Sequence, residues 1–348
     1  AACIGILGGD ENAGLQVISN IPEETKAQLG PYMERSRIEI TPLTSDNLLD
    51  MIITVYNGSS WARVRIANEH TNIVLIKRNG QILKEADSSG EGGKEELPDY
   101  DLLTVADIYD FATSCDIEDV RPILDRQIEC NTAIAEEGLK NNYGANIGKV
   151  LLKTGNNLRT RAKAYAAAGS DARMNGCTLP VVICSGSGNQ GLTASLPVIV
   201  YARELNSSKE ELYRALLISN LITLHAKTGI GRLSAYCGAV SAGAGAGSGI
   251  AYLNGGDERD IAHTIVNSLA ISSGIVCDGA KSSCAAKIAT AVETGILGYD
   301  MFKNGQQFYA GDGLVVKGVE NSIANFGRLA RLGMRETDHE IILMMTEQ

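Results

Sequence analysis

The feature that most limits how this chain can fold is a change of period near residue 100. Before it, apolar residues alternate along short runs; beyond Thr104 they recur at helical spacing as far as Gln348. The early runs are Met51 to Tyr56, Trp61 to Ile66, Ile73 to Ile76 and Ile82 to Lys84. Asn57-Gly58 and Asn79-Gly80 separate them, and Asn-Gly between two such runs signals a hairpin, the first turn lengthened by Ser59 and Ser60. Upstream, Asn12 to Leu29 predicts a helix and Arg37 to Ile40 a strand. Ala86 to Pro98 has linker composition. After it, Val105, Ile108, Tyr109 and Ala112 fit one helical face, and Val120, Ile123, Leu124 and Ile128 fit another. The expectation is an α+β domain over residues 1–98 followed by a mostly α-helical, all-α domain over 99–348, with no internal repeat.

Composition narrows the function. A formal net charge of −10 argues against nucleic acid and anionic membrane surfaces as partners, because both require a basic face. No apolar run reaches the roughly 18 residues of a transmembrane helix. Val240 to Leu253 comes nearest, but its glycines and serines mark a tightly packed segment, and Gly243 to Gly249 reads as a small-residue helix interface. Small-residue helices make a homodimer one expectation, although internal packing explains them equally well. Eight cysteines in 348 residues are too sparse for a disulfide scaffold, so the thiols read as reduced and the protein as cytoplasmic. The chain opens at Ala1 without Met and reads as N-terminally truncated.

Three stretches carry chemistry. Cys184-Ser185-Gly186-Ser187-Gly188-Asn189-Gln190-Gly191 precedes an apolar helix from Leu192 to Arg203, so its backbone N–H groups suit an anion as well as a tight turn suits helix packing. It is not a Walker loop, since no Gly-Lys-Ser/Thr follows. Ser170 to Gly176 places Asp171 and Arg173 before Cys177, either as a helix cap or as part of a site. Cys277 and Cys284 bracket six residues, with Cys237 at the end of Arg232 to Cys237. Their spacing matches neither a zinc ribbon nor a ferredoxin and by itself only suggests metal. Cys3, Cys115 and Cys130 read as small core residues, while Cys177 and Cys184 stay ambiguous. By default His70 is a turn residue between strands and Lys227, near His225, a solvated one.

Taken together, Ser170 to Met174, Ser185 to Gly191, Gly231 to Cys237 and Cys277 to Cys284 resemble the alpha chain of iron–sulfur L-serine dehydratases. The resemblance is closer to their relatives, the L-cysteine desulfidases and the proteins grouped with them. Glu69 to Ile73 and Gly9 to Leu15 extend it over nearly the whole chain. It implies a 4Fe–4S cluster held by Cys237, Cys277 and Cys284, easily lost in air. The fourth iron would act as a Lewis acid on the substrate's β-heteroatom while a base takes the α-proton. The product is an aminoacrylate that hydrolyses to pyruvate and ammonia. It further implies that Ser185, Gly186, Ser187 and Asn189 contact the substrate carboxylate, with His70, Thr71 and Asn72 approaching from the first domain to a site between domains. Lys227 is the candidate proton-handling residue. The expected partner is a small amino-acid substrate, most of all L-cysteine, then L-serine.

Two departures accompany the resemblance. Some serine dehydratases cap the open iron with a C-terminal cysteine, whereas this chain ends Met344-Met345-Thr346-Glu347-Gln348. The desulfidases carry a Gly-Cys-Thr-Glu-Pro motif in a segment that would precede Ala1, so the chain by itself is expected to be poorly active. Two other readings stand beside the cluster-dependent lyase. One is a pyridoxal-phosphate enzyme with the Gly-Ser loop on the phosphate and Lys227 or Lys281 as Schiff base. The other is a non-catalytic protein of the same fold that holds a small anion.

Overall fold

A computed structural model of the chain describes residues 2–18, 20–43, 45, 47, 49–86, 100–231 and 233–347. The chain divides into two compact units, Ala1–Pro98 with Ile342–Gln348, and Asp99–Ile341. The linker-like stretch after Ala86 lies outside the described residues, as does Arg232.

In the first unit, β1 (Asp50–Asn57), β2 (Ser60–Ala67), β3 (Ile73–Arg78) and β4 (Gln81–Glu85) form an antiparallel meander in that order. Asn57 pairs with Ser60, so the first turn is only Gly58-Ser59. That is shorter than the sequence suggests, because Ser60 joins the ladder once Gly58 adopts a positive φ of 59°. At the second turn Asn79 and Gly80 both take positive φ, 49° and 87°, which matches the right-handed twist of the flanking strands. Across the sheet the Arg65 guanidinium donates to both carboxylate oxygens of Asp50, at 2.9 and 2.6 Å.

Short helices α1 (Ala2–Gly8), α2 (Glu23–Ala27) and α3 (Leu29–Arg35) precede the sheet. The continuous helix expected from Asn12 to Leu29 does not form. Residues Glu11–Gln16 make a short 3₁₀ stretch containing Gly14 at φ 56°, ψ −122°, and α2 starts only after Pro22. That Gly14 geometry cannot propagate a helix, and Pro22 has no N–H to continue one. Nor is Arg37 to Ile40 a strand. Ile38 and Ile40 stay 49% and 75% exposed, and alternation without a partner ladder does not make a sheet.

The second unit is helical: α4 (Val105–Ser114), α5 (Ile117–Lys140), α6 (Ile147–Thr154), α7 (Leu158–Met174), α8 (Gly188–Glu204), α9 (Lys209–Thr228), α10 (Ala239–Leu253), α11 (Glu258–Ser272), α12 (Cys284–Lys303) and α13 (Val319–Arg328). A π turn, Leu329–Gly333, leads into α14 (Arg335–Thr346), whose residues from Ile342 on belong to the first unit. Side-chain caps start several of them: Thr104 on α4, Asp116 on α5, Asn157 on α7, Ser208 on α9 and Asp257 on α11. The architecture is therefore α+β followed by all-α, as the change of period predicts.

Helix α10 is the hub, packed against α8, α9, α11 and α12 and buried from Ala239 through Ala251. Its glycines make this proximity possible. A Cβ on Gly243 would lie 2.2 Å from the Ala291 carbonyl oxygen of α12, and one on Gly245 would lie 2.4 Å from the Ser219 carbonyl oxygen of α9. Backbones this close hold α9, α10 and α12 together. Among the described residues, no helix is long and apolar enough to cross a membrane.

Candidate active site

Because α10 and α12 pack backbone to backbone, the segments that lead into them also meet. Residues 235–237, before α10, run antiparallel to residues 275–277, ahead of α12. The Cys237 N–H donates to Ile275 O at 3.1 Å, and the Cys277 N–H to Ala235 O at 2.6 Å. Ser234 anchors the first segment, its Oγ donating to Ala330 O at 2.8 Å. This short bridge sets the Cys237 and Cys277 thiols against each other. Cys284 is the first residue of α12, and its Sγ donates to Gly279 O at 3.5 Å, which closes the loop that Cys277 opens. All three cysteines are partly buried and free.

The electrostatics of the cluster are uneven. The Cys237 thiol donates to Cys277, and with the Gly279 N–H and the Lys287 charge it pulls Cys277 down to about 6, against burial and the nearby Asp278 charge. The same bond, together with burial and the charges of Cys277 and Cys284, pushes Cys237 well up. Lys287 is tied to Asp278 as an ion pair. Lys227, in the last turn of α9, is buried at 7% exposure. Burial lowers it from the ordinary lysine range, and the charges of Cys277 and Cys237 oppose that shift. It is the buried amine beside the sulfurs, not a solvated lysine. Lys281 is exposed on the intervening loop.

The Gly-Ser loop reaches the same end of the helical unit. Cys184 and Ser187 exchange two backbone hydrogen bonds, at 3.2 and 3.0 Å, around Ser185 and Gly186, which take positive φ of 49° and 78°. Helix α8 begins at Gly188, four residues earlier than the apolar run at Leu192 suggests, and Ser187 gives it no side-chain cap. The free N–H groups of its first turn therefore belong to the loop itself. Asn131, on α5, fixes the approach: its Oδ1 accepts from the Val182 N–H at 2.9 Å and its Nδ2 donates to Ser195 Oγ at 2.9 Å.

Arg173, which the sequence leaves open between a helix cap and a site, and Gln190, outside the candidate set, join the loop to the cysteines. The Arg173 guanidinium lies over Gly188, where a Cβ would sit 2.4 Å from its Nε; it donates to Asn189 Oδ1 at 3.2 Å and feels the charge of Cys284. The Gln190 side chain lies over Gly238, next to Cys237, where a Cβ would sit 2.6 Å from Nε2. Both occur inside stretches that carry the resemblance, and nothing in its spacing marks Gln190. Their neighbour Asp171 resolves differently. Its Oδ2 accepts from the Gly148 N–H at 3.0 Å, capping α6, and burial raises its pKa. Asn175, at the end of α7, accepts from Ser282 Oγ at 2.7 Å and so ties that helix to the cysteine loop.

The remaining candidates have their own local partners. His70, Thr71 and Asn72 form the β2–β3 connection of the first unit, where Asn72 Nδ2 donates to Ala67 O at 2.9 Å while His70 and Thr71 are exposed. Cys184 is buried under the loop, its thiol donating to Asn220 O at 3.5 Å and pushed up to about 12 by burial. Cys177 borders the Tyr143 hydroxyl, which donates to Glu137 Oε1 at 2.8 Å. Among the described residues, no three His, Cys, Asp or Glu side chains are gathered to hold a single metal ion.

Comparison with known proteins matches residues 12–343 to the serine dehydratase alpha chain family. Curated relatives cover the chain end to end. A UPF0597 protein of Desulfitobacterium hafniense is 57% identical over 100% of this chain and 81% of its own length. One from Lachnoclostridium phytofermentans is 49% identical over 99% of the chain and 82% of its own. One from Clostridium perfringens is 38% identical over 100% and 82%. The match bears out the resemblance read from the motifs and supports a dehydratase-like, lyase-class role.

Proposed function

Because the chain belongs to the serine dehydratase alpha-chain family, we propose that it serves β-elimination from a small amino acid, L-cysteine first and L-serine next. The observation that carries the reading is the approach of Cys237 to Cys277 and Cys284, which lie 40 or more residues further along the chain, beside a buried amine and an uncapped helix start. The donor set suits a 4Fe–4S cluster. Cys237, Cys277 and Cys284 would hold it; backbone N–H groups of Ala239 and Gly279 point at two of the sulfurs, and lysines offset the charge. Bound there, a cluster would supply a Lewis-acidic iron for the departing hydrosulfide or hydroxide.

The chain's own residues supply the rest. Ser185, Gly186, Ser187 and Asn189, with the free N–H groups of α8, hold the substrate carboxylate. Lys227, kept toward its neutral form by burial, takes the proton from Cα at Nζ. The C–H pair becomes the new double bond, and the pair of the Cβ–heteroatom bond leaves with sulfur or oxygen. Water then hydrolyses the aminoacrylate to pyruvate and ammonia. His70, Thr71 and Asn72 enter as substrate contacts on the resemblance alone.

The test is anaerobic turnover of L-cysteine and L-serine by protein supplied with iron and sulfide. Equimolar pyruvate and sulfide from L-cysteine, lost in Lys227→Arg without loss of iron, is the expected result. An absorption band of pyridoxal, or turnover in protein free of iron, would overturn it.

A further inference from the structure

The four-stranded sheet has two unequal edges, β1 and β4. Strand β4 is blunted as natural edges are: it is short, ends in Lys84-Glu85, and its register against β3 shifts at Ile76/Lys77. Strand β1 runs eight residues in unbroken register with β2, with no proline and no charge after Asp50. Met51, Ile52, Ile53, Val55 and Tyr56 are all exposed, Tyr56 at 68%. Trp61, which pairs with Tyr56, turns both of its backbone groups to Asn79: its N–H donates to Asn79 Oδ1 at 2.8 Å, and its carbonyl accepts from the Asn79 N–H at 3.0 Å. Tyr56 therefore points its own N–H and C=O away from β2. By the alternation of an antiparallel ladder, Thr54 and Ile52 do the same. Among the described residues, no strand receives these outward groups.

We propose that β1 is the interface of a twofold dimer, pairing antiparallel with β1 of a second copy of this chain. The edge is complementary to itself. Its partner must be an uncharged, largely apolar strand, which β1 is from Met51 to Tyr56. A twofold axis normal to the sheet opposes residues of the same face, and with Thr54 on that axis the outward groups meet in matched pairs. Thr54 meets Thr54, Ile52 meets Tyr56, and Ile53 lies opposite Val55; aromatic and β-branched pairs of this kind favour a sheet. Asp50, the one charge in the strand, falls opposite Gly58, so no like charges meet. Because β4 is blunted, the assembly closes at two copies instead of growing. The small-residue helix α10 offers no such surface, being buried from Ala239 through Ala251. The proposal is independent of the lyase reading.

Light scattering across the micromolar range, paired with hydrogen exchange resolved to β1, tests it on the whole chain. The expected result is a monomer–dimer equilibrium in which the β1 amides exchange more slowly as the dimer fills. Thr54→Pro removes the N–H at the axis from both copies, an N–H that bonds nothing within its own sheet. The monomer should therefore fold, and the dimer dissociation constant should rise about tenfold or more. Ile52→Lys combined with Tyr56→Lys puts edge-guarding charges at exposed positions and should have the same effect even where proline disturbs the strand. The wild-type measurement needs no variant. A chain that stays monomeric, a dimer that forms without slowing β1 exchange, or β1 amides protected equally at every concentration would overturn the proposal. So would growth beyond two copies, or unchanged dimerisation in the folded lysine variant.

Discussion

At the scale of single residues, the sequence made the thiols and the turns legible and left their partners unread. Cys237, Cys277 and Cys284 stand out because cysteine is rare and chemically distinctive; Arg173 stays open between a cap and a site, and Gln190 is unmarked, because their places over Gly188 and Gly238 exist only in the fold. Lys227 reads as solvated from its neighbours in sequence, and only the packing of α9 against α10 buries it. If it takes the α-proton, Lys227→Arg keeps a charge that cannot be shed, so turnover should fall about 10²- to 10⁴-fold while KM changes little. A kcat near wild type would remove Lys227 from the chemistry. Asp50 gives a pH prediction in the first unit. The paired Arg65 guanidinium, helped by Ser45 and Asn47, holds its carboxyl well below the ordinary value of about 3.9. A folded value below the unfolded one adds stability that is fully present above about pH 4 and is lost as pH falls. Asp50→Asn should therefore cost about 1–3 kcal/mol at pH 7 and progressively less below pH 4. Parallel wild-type and variant melts across that range would contradict the assignment.

At the scale of elements, periodicity identified what is half-exposed and failed where burial is complete. The two Asn-Gly hairpins and the amphipathic α4 and α5 follow from pattern and turn chemistry. Helix α10 shows no stripe because it is surrounded, and the clue there is small size, not polarity. The region from Asn12 to Ile40 misleads because its apolar residues lack partners: Gly14 and Pro22 break the helix, and no strand pairs with Arg37 to Ile40. Two glycines should respond oppositely to alanine. In α10, a Cβ on Gly247 would lie 2.4 Å from Gly295 O, a backbone atom that cannot swing aside. Overpacking at about 1–3 kcal/mol then outweighs the roughly 1 kcal/mol of helix propensity gained, so Gly247→Ala should lower the melting temperature. In α3, a Cβ on Gly30 meets nothing within 4 Å, so Gly30→Ala should be neutral or stabilising by up to about 1 kcal/mol. Calorimetry that found both variants alike would refute the packing account of α10.

At the scale of the whole molecule, the order of a sheet unit and then a helical unit could be read from one change of period, and the family from motifs scattered over both. What could not be read is how the second unit builds its site. The starts of α8, α10 and α12 meet the ends of α7 and α9 because small residues let helices approach to backbone contact, which spacing along a chain does not encode. Stability of that unit and assembly of the site are thus one property: the glycines of α10 that pack the core also bring Cys237 to Cys277 and Cys284. We propose that these three thiols hold one iron–sulfur cluster together. Iron and acid-labile sulfide per chain, measured under anaerobic conditions in wild type and in Cys237→Ser, Cys277→Ser and Cys284→Ser, test it most directly. About four iron and four sulfide per wild-type chain are expected, as a 4Fe–4S cluster requires, with marked loss in each variant and the helical melt retained. Wild-type protein that takes up no iron under these conditions, or variants that keep the full complement, would contradict it.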